Sequence, residues 1–500
     1  MKKNLLIATI ILLVSGQWLV ASGQQADAVY KLVRYEWTLN SDGSSDYHYR
    51  HEVQILRNRA LVAYADKGET FVVYNPDFEE LTVNEVYTIQ KDGTRVDMPQ
   101  NAFVYQLPSQ CADCGRFNNM RELAMVHTGM ELGCTIVVDY TIHRSTNLLY
   151  ESIPLWRECP VEQLEVVVNY NHNDMELKYT IDGSQYLNFD DITRSESVNT
   201  DDMNRVLHYT FKNLQQNPNE PYMPADYLPV LRVFNGAPDF TPAFDNAKFS
   251  GAQEIMAQVT GRAKGRDKIA AIHNYVVENI HLNDIAPTHL GYTHATAEVV
   301  WQTGCGTATD KAVLLAALLN DEGFEARVLG DAMDEVGVMF DTLEYRLNVR
   351  SKTPMTLYGE AKDEVSKLDI KEKRLATFDT LEDGFYRLKL EPLPGAPNVA
   401  ASRLAIVRTA PLQSSACDLK SDISYTLPEG MKMVAVPSSQ KLSFDGIGSL
   451  EISIKQLGKK LHVVRNLKID KSLIEASDYA AYRQLIATWQ SYTGVLMQEK

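Results

Sequence analysis

Histidine is missing from the whole stretch between His294 and His462, cysteine occurs only six times, and no apolar run after the first residues is long enough to cross a bilayer. Each shortage removes a class of function. Without a histidine, that stretch offers no imidazole to act as a general base near neutral pH. Lysine and arginine total 49 against 65 aspartates and glutamates, a formal net charge of −16. That balance disfavours nucleic acid, since neutralising a phosphate backbone takes clustered cations. The carboxylates are plentiful but no pair is marked out by spacing, so a glycosidase-type mechanism has no sequence support. There is no internal repeat and no low-complexity tract.

What is present begins with an export signal. Lys2 and Lys3 precede an apolar run from Leu5 to Val14, and a small-residue stretch ends near Ala21-Ser22-Gly23, placing cleavage close to Gln24. Ser15, Gly16 and Gln17 interrupt the run before the roughly 20 residues a membrane span needs. No cysteine stands at the cleavage site to carry a lipid. The expected product is exported, to the periplasm or the outer-membrane surface, with no stable membrane span once the signal is removed. In that oxidising setting Cys111, Cys114, Cys134, Cys159, Cys305 and Cys417 can form disulfides in fifteen formal pairings. A structural disulfide in a loop-rich β domain is the expectation. Cys111-Ala112-Asp113-Cys114 lacks the βαβ surroundings of a thioredoxin-like pair, and the 25 residues between Cys134 and Cys159 do not suit a four-cysteine zinc site.

Five regions follow from the patterning: a signal at 1–23, a β-sandwich at 24–214, a proline-rich connector at 215–248, an α+β core at 249–340, and a C-terminal β-rich region at 341–500 that ends in a helix. The sandwich reading rests on strand-like runs at Tyr49 to Leu56, Thr135 to Ile142 and Leu164 to Tyr170, with Asp42-Gly43, Asp92-Gly93 and Asp182-Gly183 as hairpin signals. In the connector, Tyr222, Tyr227, Leu228, Val230, Val233 and Phe234 interleave with prolines, which predicts a strap packed on a neighbour. Apolar residues at three- and four-residue spacing predict helices from Gly251 through Ile280, a short helix at Ala297 to Trp301, and another starting near Thr309 or Asp310 and stopping at Gly323. Strands are then expected at Phe324 to Leu329 and at Leu343 to Val349, Gly384 to Leu390, Ile423 to Leu427, Leu450 to Ile454 and Leu461 to Leu467, with Asp383-Gly384 and Asp445-Gly446 as turns. The aromatic stripe of Tyr479, Tyr482, Trp489 and Tyr492 reads as core.

The segment Gly306-Thr307-Ala308-Thr309-Asp310-Lys311-Ala312, with Val313 to Leu319 and Gly323-Phe324 behind it, resembles the active-site helix of the bacterial transglutaminase-like superfamily. Ile272 to Ile280 adds to the likeness, and the order of a β-rich domain of unknown function, this core and a β-rich end is similar to exported proteins of Bacteroidetes. The resemblance implies a papain-like α+β core and amide chemistry through an acyl-enzyme, with a cysteine between the glycine and Asp-Lys-Ala, a histidine on a later strand and then an aspartate. Here Ala308 occupies the cysteine position. Tyr345 or Arg346 is expected where the histidine should be, and neither is a base at neutral pH. The implied function is therefore an inactive binding or scaffolding module for a peptide, a glycan or an envelope protein, with no cofactor and no metal. The alternative is a thiol amidase, protease or acyltransferase using Cys305 with His294 as base, although a thiol three residues upstream lies outside the first helical turn where the dipole is felt. His281, His289 and His294 have no metal-ligand spacing. His48 and His51 should face opposite sides of a strand, and Asp310-Lys311 is expected to supply capping and surface charge.

Overall fold

The computed structural model describes residues 26–499 apart from 67–70, 172–174, 199–203, 225, 237–248, 330–331, 353–355, 358–364 and 435–437. The segment expected to be an export signal therefore lies outside the described residues, as does much of the end of the connector. Among the described residues no helix is long and apolar enough to cross a membrane.

The N-terminal domain is built on an eight-stranded sheet with the strand Ala28–Leu39 at its centre, antiparallel to Ser45–Ile55 and parallel to Val161–Asn171. Alternation does the folding work: Tyr49, His51, Val53 and Ile55 are buried on one face, while His48 on the other meets Asp139 at 2.8 Å. A three-stranded sheet of Lys178–Asp182, Val230–Phe234 and Tyr150–Pro154 supplies Ile153, Leu231 and Val233 to the same core, closing a sandwich. Asp42-Gly43 and Asp92-Gly93 sit in hairpins, with φ of +91° and +90° at the glycines. Asp182-Gly183 does not. Its strand pairs with Val230–Phe234 from the connector, and the chain crosses to the large sheet instead.

The proline-rich stretch is thus a strap with a strand in it. Tyr227, Leu231 and Val233 are buried in the N-terminal core, while Tyr222 packs on the C-terminal one. Arg408 of the C-terminal domain donates to the carbonyls of Pro221, Ala410 and Pro411 and pairs with Glu220 at 3.2 Å. Each of its three nitrogens donates to a backbone carbonyl and a carboxylate balances its charge, which lowers the penalty of burying an arginine.

In the core, the helix Ala308–Asp321 is buried on all sides from Asp310 to Leu319 and apolar from Ala312 to Leu319, so it is the central helix. The helices Gln253–Thr260, Gly265–Asn279 and Ala297–Thr303 and an antiparallel sheet surround it. That sheet contains Glu325–Leu329, Ala332–Phe340, Leu343–Asn348 and Thr356–Leu357. The strand Leu343–Asn348 therefore belongs with the core, past the boundary at 340 expected from sequence.

The C-terminal domain pairs a five-stranded and a four-stranded sheet around the helix Tyr479–Ser491, whose Tyr479, Tyr482, Leu485, Ile486 and Trp489 are buried. One further strand, Gly494–Glu499, follows that helix and lies inside the four-stranded sheet between Phe385–Lys389 and Met431–Met433.

Candidate active-site cleft

The helix Ala297–Thr303 ends at Gly304 with φ +66°, and Cys305-Gly306 then pairs in parallel with His281-Leu282. Thr307 caps the next helix: its hydroxyl accepts the Asp310 N–H at 3.2 Å and the Asp310 carboxylate accepts the Thr307 N–H at 2.9 Å. This capping box corrects the expected cap, which was Thr309 or Asp310 themselves. Gly306 is needed here because a Cβ would lie 2.7 Å from that of Asp310. Ala308 follows as the first helical residue, half-exposed, on the wall of a cleft of about 480 Å³.

Asp284, Pro287, Leu290, Thr293, Asp334 and Arg350 share that cleft with Ala308. None of its described lining residues is a histidine or a cysteine. Arg350 spans it, donating through Nε to Asp334 at 3.0 Å and through Nη1 to Asp284 at 3.1 Å. These are the residues facing Ala308, and Tyr345 and Arg346 are not. Tyr345 is buried between the sheet and the helices, where its hydroxyl accepts a hydrogen bond from Arg266 and its ring lies 4.5 Å from that guanidinium. Arg346 pairs with Glu335 at 3.1 Å. The pleat explains the difference: Tyr345 opposes Val338 in the ladder and points to the helix side, so only residues at the strand ends reach the cleft.

Asp310 and Lys311 are not surface charges. Asp310 is 0 % exposed and also accepts the Ala295 N–H at 2.6 Å and the Arg116 guanidinium, from the N-terminal domain, at 3.1 Å. Lys311 is 2 % exposed and donates to the carbonyls of Ile280 at 2.8 Å and Val277 at 3.4 Å, at the C-terminal end of the helix Gly265–Asn279. Burial pulls its ammonium down from 10.5 to about 8, with the nearby positive charge of Arg350 adding to the effect.

Cys305 is 1 % exposed and disulfide-bonded to Cys114 of the N-terminal domain. Its sulfur is thereby withdrawn from nucleophilic chemistry, and His294 has its Nδ1 3.0 Å from the Ala295 carbonyl oxygen. The Cys305–His294 alternative is corrected on that ground: a nucleophile must be a thiolate. The disulfide crosses between domains, whereas one inside the β domain was expected. Cys111, Cys134, Cys159 and Cys417 are buried, and Cys111, Cys134 and Cys417 are unbridged. Among the described residues no group of histidines, cysteines and carboxylates is placed to hold a metal.

The loop 283–295, which forms one wall of the cleft, is held by the N-terminal domain at several points. Asn283 donates to the Gln110 carbonyl at 2.7 Å, Asn75 to the His289 carbonyl at 2.8 Å, and His289 Nδ1 lies 2.6 Å from the fully buried Glu79 carboxylate. Arg144 donates to Glu79 at 3.1 Å and to Glu151 at 3.0 Å. These tethers, and Arg116, were invisible in the sequence.

Three family profiles match the chain: a domain of unknown function, DUF3857, at residues 41–217; the transglutaminase-like superfamily core at 252–349; and a domain of unknown function, DUF3858, at 389–494. No curated protein matches. Among solved structures, that of a "putative protease" from Parabacteroides distasonis is similar over 94 % of this chain and 99 % of its own, with a TM-score of 0.72 and 24 % identity, a likeness of fold. An M1 zinc metallopeptidase from Deinococcus radiodurans covers 47 % of this chain and 53 % of its own at 9 % identity, and its TM-score of 0.21 carries no argument. The chain therefore carries, between segments that match two domains of unknown function, a transglutaminase-like core over residues 252–349.

Proposed function

We propose that this protein is a catalytically silent transglutaminase-like module that binds a peptide or glycan, or an envelope protein presenting one, in the Ala308 cleft. The observation that carries the reading is the content of that cleft: a methyl group at the helix start, facing the Arg350 guanidinium clamped by Asp284 and Asp334. Acyl transfer through a thiolate needs a sulfur and a base within hydrogen-bond reach of each other. Ala308 offers no atom that can attack, and a carboxylate already paired to arginine is a poor proton acceptor. The cleft nonetheless keeps a ligand-sized volume, and a fold retains the shape of a site separately from its chemistry. A location outside the cytoplasm, in the periplasm or on the outer surface, is supported by the leading Lys2-Lys3 and apolar run and by an interdomain disulfide, a bond that persists in oxidising compartments.

The test is turnover. The purified oxidised protein and its Ala308→Cys variant are incubated with a panel of peptide amides and glutamine-donor substrates, and ammonia and product are followed together with labelling by a thiol-directed probe. The expected result is no turnover by either. Amide cleavage by the wild-type protein overturns the proposal outright, and cleavage recovered in Ala308→Cys would show that a base reaches the cleft after all.

A further inference from the structure

The three-stranded sheet of the N-terminal domain has one face in the core and the other in solvent, and the outer face is not an ordinary polar surface. Register places Tyr150, Phe234 and Lys178 side by side on one rung, and Ser152, Arg232 and Thr180 on the next. The inner residues between them, Ile153, Leu231, Val233 and Ile181, pack into the hydrophobic core. The outer side chains line a concavity of about 530 Å³, within the range of roughly 300–1,000 Å³ usual for small-ligand sites. Tyr150 is 37 % exposed, and its ring centroid lies 6.2 Å from that of Phe234. Two adjoining aromatic rings at a solvent-facing concavity form apolar surface that the fold does not use for its own packing.

The charges around the rings are already neutralised. Arg232 donates to Asp182 at 2.5 Å, and Lys178 stands 3.8 Å from Glu176. Such a face has no net attraction for a strongly anionic or cationic ligand. It offers donors and acceptors in pairs, next to two apolar rings inclined to each other by 59°. A neutral sugar has the complementary surface, with C–H groups on its ring faces for the aromatics and vicinal hydroxyls at its edge that both donate to carboxylates and accept from guanidinium. We infer that this outer sheet face, separate from the Ala308 cleft, is a binding site for a neutral oligosaccharide, with the mutually tilted Tyr150 and Phe234 rings as the apolar contacts and Arg232, Thr180 and Ser152 as hydroxyl-recognising groups, Asp182 holding Arg232 in place.

Saturation-transfer NMR and calorimetry on the full chain, with cello-, xylo-, malto- and chito-hexaose and polygalacturonate as probes, test the assignment. At least one neutral hexaose is expected to bind. Tyr150→Ala is expected to weaken it about tenfold, the effect of losing one aromatic contact, and Tyr150→Phe to retain most of it, with circular dichroism confirming that both variants are folded. No binding by any neutral probe overturns the inference, as does binding that survives in the Tyr150→Ala/Phe234→Ala double variant. Binding of polygalacturonate alone would overturn the neutral assignment. A random peptide pool retained in place of sugar, and lost in the same variants, would assign the face to protein.

Discussion

Replacing Asp310 tests the idea that the helix start is held in place from outside its own domain. The carboxylate is fully buried and accepts three groups, the Ala295 N–H, the Thr307 N–H and the Arg116 guanidinium, while the Asp310 backbone N–H donates to the Thr307 hydroxyl. Asp310→Ala leaves two N–H groups and an arginine without their acceptor. Breaking a buried ion pair from one side costs about 3–5 kcal/mol. Asp310→Asn keeps an acceptor oxygen but loses the charge and turns one oxygen into a donor, so it should cost about 1–3 kcal/mol. Arg116, at 23 % side-chain exposure, can recover water when its partner goes, so Arg116→Ala should cost less than Asp310→Ala, and the double variant should fall short of additivity by about 1–3 kcal/mol. Urea denaturation supplies the free energies. Hydrogen exchange at the Ala295 and Thr307 amides shows where they act, since both should lose protection in Asp310→Ala. A cost below about 1 kcal/mol, or additive single and double variants, would refute the account of Asp310 as an interdomain anchor.

Three further expectations concern the same framework. Cys114→Ser removes a cross-link spanning 191 residues, and loop-closure entropy for so long a loop sets an upper estimate of about 5 kcal/mol for the loss under oxidising conditions; a variant as stable as the oxidised parent would mean the crossing is incidental. The buried Glu79 carboxyl lies below its usual 4.5: burial pushes it up, but the hydrogen bond and charge of His289, with Arg144, outweigh that. Its contribution should be complete above 4.5 and be lost as pH falls through the lower folded value, and Glu79→Gln should flatten that acid limb in denaturation measured across pH. For Lys311 the slope has the same sign but lies at alkaline pH, because the unfolded chain holds the extra proton between about 8 and 10.5. Stability should rise with pH across that window in the parent protein, and a Lys311→Met variant showing the same rise would sink the assignment.

How much of this was readable without coordinates depends on the range of the forces involved. The central helix was legible because an apolar run and the Gly323 stop lie within one short segment, although its cap fell on Thr307, two to three residues before the expected Thr309 or Asp310. Strands flanking Asp42-Gly43 were legible for the same reason. Asp310 and Lys311 looked like surface charges because their partners, Arg116 and the Ile280 carbonyl, are distant in sequence and carry no mark there. The cleft residues Asp334 and Arg350 were missed because a strand's pleat decides which side chains point inward, and a shift of a residue or two exchanges the faces. The strand Gly494–Glu499 was overlooked since its pairing partners, near residues 385 and 431, are what make it a strand. Cysteine pairing fell to geometry alone, as sequence permits every combination.

The bond from Cys114 to Cys305 also decides what a protease can do to this molecule. A single cut anywhere between those two positions, the strap included, severs the backbone without releasing either piece, because the fragments stay joined through sulfur. On a gel, such a nicked molecule would run as one chain until reductant is added and as two afterwards. Damage of that kind is survivable: the cleft wall, tethered at Asn283 and His289, keeps its supporting domain beside it even after the polypeptide between them has been broken.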